Sequence, residues 1–306
     1  MSEYVSHTIF AEDCRLLTCA FRLGPEGLAQ AAATAEGTQA MRLGARASRG
    51  DRHSVALAEA LRAEGRKADP TEICFLAGWR CHNCIDRQFK PLYRLIDVGY
   101  LLTPELDGPS NVSISQDVFL LREIAPTGLF PDGLVGSAGD DRLARVLGAT
   151  WFDDYLALGI SENPSVADAI GKREKPYVDL SRYDAIAARE ADELKEEVAS
   201  WRLYDPSGPL EQLLAGLRRN AEPQVKLDAA LSDLKRQSHY ARAAARFAEE
   251  IRVLKAFFEG RMDAGALHRA IDADTPHMDE EMSRAIREPA PVRQAIIEDW
   301  HREGGL

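Results

Sequence analysis

The sequence predicts an all-α protein: a multi-helix bundle with additional helices toward the C-terminus. Three observations support this. Apolar residues recur at helical spacing along most of the 306-residue chain. Runs that alternate with period two in β-branched residues are almost absent, Val112 to Leu121 being the one stretch that also reads as a strand. Gly and Pro fall where helices end or begin.

In chain order, Ser6 to Leu23 reads as a helix closed by Gly24-Pro25. Leu28 to Leu43 is a small-residue helix that Gly37 weakens, and a turn follows at Ala47 to Asp51. His53 to Glu64 is a further helix. Asp69-Pro70-Thr71-Glu72 is a helix start, with Pro near the first position and acids in the first turn. That helix runs through Trp79 and His82 to about Phe89, and Leu92 to Leu102 reads as a short second piece beyond Pro91. Pro104 to Pro109 and Pro126 to Asp141 are loops. The second places a boundary that divides the chain into 1–147 and 148–306. Beyond it, Tyr183, Ile186, Leu194, Val198 and Trp201 mark one helical stripe. Leu227, Leu231, Leu234, Phe247, Ile251, Leu254 and Phe257 mark another. These stripes suit packing onto the first half as one unit, a second bundle, or a homodimer interface.

Composition narrows the function. A 45% hydrophobic and 28% charged chain has enough apolar material for a core and is neither disordered nor collagenous. The net charge of −11, with no block of Lys and Arg, argues against nucleic acid as a main partner. No run of about eighteen apolar residues is present, so no transmembrane segment is expected. Met1 to Phe10 has no basic-then-apolar leader, which predicts a cytoplasmic chain. All 5 cysteines lie in the first 84 residues, and reduced thiols are the expectation.

The chemistry concentrates in the same region. His7 sits near Glu12 and Asp13, His53 follows Asp51 by two, and His82 precedes Asp86 by four. Residues four apart share a helix face, so His82 and Asp86 can ligate one cation or two adjacent ones. The same spacing also serves an ordinary hydrogen bond between side chains. Cys81-His82-Asn83-Cys84, with Cys14 and Cys19, offers a thiolate zinc site as an alternative to plain buried cysteines. His239, His268 and His301 are isolated and read as structural. Thr275 and Pro276 read as a helix start, not a site.

The stretch Phe75 to Pro91, FLAGWRCHNCIDRQFKP, resembles the central motif of the zinc-dependent phospholipase C (phospholipase C/D) family, roughly aliphatic-Gly-aromatic-x-x-His-x-x-x-Asp-x-x-x-His-Pro. Gly78, Trp79, His82, Asp86 and Pro91 match in register. His7 resembles the family's first histidine ligand. Leu43-Gly44-Ala45 leading to Gly50-Asp51 resembles its Leu-Gly-Ala-x-x-Pro-Asp turn, two residues longer and with Gly for Pro. His53 stands for a further histidine after that Asp. The departures are Lys90 in place of the motif's last His, and Asp117 where a His-x-x-x-Glu would end, with Ser113 in the histidine's place. The resemblance spans about residues 5 to 123.

The resemblance implies a helical bundle with metal ligands facing inward. In the family, the altered positions together serve one metal, while those matching His7, Asp51, His82 and Asp86 serve the other two. It therefore implies two divalent ions, zinc first and iron or manganese next, on a ligand set drawn from His7, Asp51, His53, His82, Asp86 and Asp117. Asp86 would bridge, Asp51 would ligate or orient water, and Lys90 would supply a fixed positive charge. The expected activity is hydrolysis of a small-molecule or lipid-derived phosphoester. The alternatives are a di-iron redox enzyme on the same ligands and a non-catalytic helical interaction or regulatory protein that keeps only the fold.

Overall fold

The computed structural model describes residues 4–45, 51–63, 69–101 and 202–272, with the single positions 120, 124, 292 and 295. Every regular element among them is helical and none is a strand. In order they are α1 (Tyr4–Phe21), α2 (Leu28–Ala32), α3 (Ala35–Gly44), α4 (Asp51–Ala63) and α5 (Pro70–Leu101), then α6 (Pro209–Arg218), α7 (Leu227–Ala230), a 3-10 turn (Leu234–Arg236), α8 (His239–Phe258) and α9 (Ala264–Asp272). The proposed boundary near 147, the loops before it and the Tyr183 to Trp201 stripe lie outside the described residues. So do Thr275, Pro276 and His301. Of the Val112 to Leu121 stretch, Leu120 is described, and it is helical and buried.

Local chemistry accounts for the ends. α1 stops because Arg22 takes a left-handed conformation, φ 49°, and the Leu23 amide turns back to the Thr18 carbonyl at 3.1 Å. That is a Schellman closure, and it precedes the Gly24-Pro25 pair the sequence singles out. Gly24 itself has φ 88°, and a methyl group there would crowd Leu28 and Ile251. α5 begins as expected: Asp69 accepts from the Thr71 amide at 2.8 Å and Pro70 fills the first position. Ser238 caps α8 by accepting from the Ala241 amide at 3.0 Å.

Three sequence readings need correction. The expected helix from Leu28 to Leu43 is two helices, because Thr34 breaks it. Its hydroxyl donates to the Ala31 carbonyl at 2.7 Å and accepts from the Gly37 amide at 3.0 Å, so one side chain ends α2 and caps α3. The short piece expected after Pro91 is not separate: α5 continues through the proline to Leu101. A proline inside a helix loses one hydrogen bond, and here that loss does not end the helix. The Leu227 to Phe257 stripe is not one helix. It breaks between Leu231 and Ser238, where Asp233 has φ 52°, and Leu234 lies exposed on the 3-10 turn. Phe247, Ile251, Leu254 and Phe257 are buried on α8 as the spacing requires.

Packing centres on α5. α3 is its closest partner, and α8, α1, α2 and α4 also lie against it. One continuous apolar core joins both parts of the chain, with Phe10, Phe75, Trp79, Phe89, Tyr240, Phe247 and Phe257 buried in it. Tyr240 receives Phe10 and Tyr204 edge-on, both with ring centroids 5.3 Å away. Two buried ionic nodes cross that core. Asp13 of α1 accepts from Arg218 of α6 through both carboxylate oxygens, and from the Tyr240 hydroxyl of α8 at 2.6 Å. Glu250 of α8 accepts from Arg80 at 2.6 Å, Arg87 at 3.1 Å and Arg246 at 2.8 Å. Such nodes fix register more than they add stability, since each ion loses its hydration on burial. They hold α1 and α5, which carry the site, in place.

Candidate metal centre

Three side chains from two helices converge beside the end of a third. His7 lies near the start of α1, His82 and Asp86 lie one turn apart on α5, and all three are buried. One ligand atom from each lies within 4.8 Å of the others. Among the described residues this is the group of His, Cys, Asp and Glu side chains gathered closely enough to hold a metal ion.

The detail is directional. His7 Nε2 is 3.2 Å from Asp86 Oδ1, and His82 Nε2 is 3.0 Å from Asp86 Oδ2. Each carboxylate oxygen therefore faces a different imidazole. The two rings stack with centroids 4.3 Å apart and planes 21° from parallel. On its other side, His82 Nδ1–H donates to the Ala45 carbonyl oxygen at 2.9 Å, since a carbonyl can only accept. Ala45 is the residue that ends α3.

This donor set fits a divalent cation. Nitrogen and oxygen ligands at the usual bond length sit about 3.4 Å apart along a tetrahedral edge, close to the separations seen here. The second argument concerns protons. With Nδ1 of His82 donating to Ala45, Nε2 either bears a further proton or offers a lone pair. A lone pair facing a carboxylate oxygen is repulsive unless a cation lies between them. Histidine ligands commonly donate their other ring N–H to a carbonyl in this way. Burial alone would raise Asp86, but its attraction to His82, together with the hydrogen bonds to both imidazoles and the charge on His7, holds it well below the usual carboxylate range. It is thus available as an anionic ligand.

Of the other sequence candidates, the side chains of Asp51, His53, Lys90 and Asp117 lie outside the described residues. Asp51 opens α4 and His53 lies in its first turn, but their side chains lie outside the described residues. Ser54, next in α4, accepts a hydrogen bond from Arg80 Nη1 of α5 at 2.7 Å. Lys90 sits one turn beyond Asp86 on α5, and its side chain is likewise not described. Asp117 lies outside the described residues altogether. The cysteines do not join the cluster. All 5 are free, and Cys14, Cys74, Cys81 and Cys84 are buried. Burial pushes the Cys14 and Cys84 thiols well up and Cys74 to about 12, the behaviour of inert core thiols. His239 is a buried packing residue, with Nδ1 3.3 Å from Gln88 Oε1. The residue that sequence reasoning missed is Ala45. Its contribution is a backbone oxygen, and the only hint was its place in the Leu43-Gly44-Ala45 turn.

No helix among the described residues is long and apolar enough to cross a membrane. Comparisons of the chain with models of protein families, with curated proteins and with solved structures found no match.

Proposed function

We propose that the chain is a metal-dependent hydrolase of phosphoesters, built on a centre held by His7, His82 and Asp86. The observation behind this reading is the two-sided carboxylate, with Oδ1 of Asp86 toward His7 and Oδ2 toward His82. A carboxylate so placed is arranged to bridge two cations, and two ions, zinc first, are the expected complement. Bound divalent cations supply Lewis acidity toward water and toward a phosphoryl oxygen.

The chain's own residues do the rest. His7 and His82 present nitrogen donors from rigid helices, which fixes ligand positions better than loops would. Asp86 brings negative charge into a buried site and offsets part of the cation's charge. Asp51, at the start of α4, completes the ligand set or orients the attacking water. Lys90, one turn past Asp86, offers a positive charge to the substrate's phosphoryl oxygens as negative charge develops. The substrate class is a small-molecule or lipid-derived phosphoester.

The test is turnover of bis(p-nitrophenyl) phosphate by zinc- or manganese-loaded protein, with Asp86→Ala as the comparison and circular dichroism as the check on fold. The expected result is metal-dependent turnover that Asp86→Ala abolishes. Metal-loaded wild type that hydrolyses neither this diester nor a short-chain phosphatidylcholine would refute the hydrolase reading. Iron-dependent oxygen consumption would replace it with a redox one.

A further inference from the structure

His82 is oriented by a backbone atom, and the placement of that atom depends on two glycines. Gly44 on α3 faces the Phe75 carbonyl of α5, and a methyl group at Gly44 would overlap that oxygen. Gly78 on α5 faces the Met41 carbonyl of α3, and a methyl group there would overlap it in the same way. The two helices therefore touch backbone to backbone at two reciprocal points. Gly44 immediately precedes Ala45, and Gly78 lies one turn before His82. The close approach sets the 2.9 Å separation between the Ala45 carbonyl and His82 Nδ1. Being the last carbonyl end of α3, the Ala45 oxygen also lies at the negative pole of that helix, which strengthens it as an acceptor.

We propose that α3 is a positioning element for the metal ligand His82: the Gly44–Phe75 and Gly78–Met41 seam holds the Ala45 carbonyl against Nδ1, which fixes the ring tautomer and directs Nε2 to the cation. The metal-affinity part rests on the function proposed above, whereas the Nδ1–H hydrogen bond to the Ala45 carbonyl is read on the metal-free protein. Gly44 and Gly78 are positioning residues. Neither touches the cation, and their effect passes through the Ala45 oxygen. An outer partner of this kind typically sets about 10- to 100-fold in metal affinity.

The experiment has two readouts. Imidazole ¹⁵N NMR on the metal-free full chain reports which His82 nitrogen is protonated, and zinc titration reports affinity. Wild type is expected to show protonated Nδ1. Relieving the overlap in Gly44→Ala or Gly78→Ala opens the seam by about 1 Å, which breaks the hydrogen bond. Either variant should lose the Nδ1–H hydrogen bond to Ala45 and bind zinc about 10- to 100-fold more weakly, with helicity retained. Leu254→Ala removes buried atoms on α8 away from the seam, and should change neither readout. An unprotonated Nδ1 in wild type overturns the proposal even where the glycine variants fail to fold. So does a folded Gly44→Ala with the wild-type Nδ1–H hydrogen bond and affinity, or a Leu254→Ala that matches its effect. Wild type that shows protonated Nδ1 but binds no zinc overturns the metal reading and leaves the positioning contact standing.

Discussion

Asp13→Ala should be among the most damaging single changes in the described part of the molecule, and the structure gives the size. Asp13 and Arg218 are both fully buried, joined through both carboxylate oxygens, and the Tyr240 hydroxyl donates to the same carboxylate at 2.6 Å. Burial alone would lower the Arg218 guanidinium, but the Asp13 charge outweighs it and raises it. Burial and the Asp13 charge push the Tyr240 phenol well up, so it donates as a neutral hydroxyl. Removing the carboxylate leaves a buried cation without its counter-charge, which costs about 3–5 kcal/mol. That is a fifth or more of the stability of an ordinary domain. Tyr240→Phe removes one hydrogen bond to a charged group and should cost about 1.5–3 kcal/mol. The loss comes from the stranded charge, so Asp13→Leu/Arg218→Met should be more stable than either single variant. Urea unfolding followed by circular dichroism, arranged as a double-mutant cycle, measures this. If the double variant loses the sum of the two single losses, the stranded-charge account is refuted.

Thr34→Ala should cost about 1 kcal/mol in the same assay, because it removes the cap on the Gly37 amide at the start of α3. Among the thiols, Cys19 should be the first modified by a charged disulfide reagent in native protein, since it alone is partly exposed, while the other four wait for unfolding. Asp86 is depressed in the folded chain, so its ionised form adds stability above its unfolded value of about 3.9, and that gain fades as pH falls toward the folded value. In chelator-treated protein, the stability difference between wild type and Asp86→Asn should therefore shrink as pH is lowered below about 4. A difference that grows on acidification would contradict the assigned direction.

How much was legible in the sequence followed from how local the signal was. The start of α5 and the pairing of His82 with Asp86 depend on residues within one helical turn, and spacing revealed them, whereas α4 begins at Asp51, two residues before the expected His53. The end of α1 was nearly located, but the residue that turns left-handed is Arg22, which no propensity singles out. The break at Thr34 was legible in principle, since a Thr that can cap sits before Ala35 and Glu36. It was overshadowed by the helix-forming alanines on either side. The continuation through Pro91 to Leu101 ran against the usual effect of proline. The contacts across the core were not legible from spacing, and only the grouping of His7 with Asp86 was expected, through the family resemblance. His7 and Asp86 are 79 residues apart, Arg80 and Glu250 are 170, and Asp13 and Arg218 are 205. Each looks like an ordinary surface charge until the helices are brought together. The Ala45 carbonyl has no side-chain signature, and only the glycines at 44 and 78 mark the close approach that puts it beside His82.

The central claim is that His7, His82 and Asp86 hold a centre of two divalent cations, and the direct measurement is metal content per chain by elemental analysis. It would be made on wild type, His7→Gln and Asp86→Asn, purified without chelator and offered zinc, manganese and iron. The account predicts about two equivalents in wild type, with loss in both variants while helicity is retained. Less than about 0.2 equivalents in wild type after metal is offered would contradict it, and would make the cluster a buried ionic contact between α1 and α5.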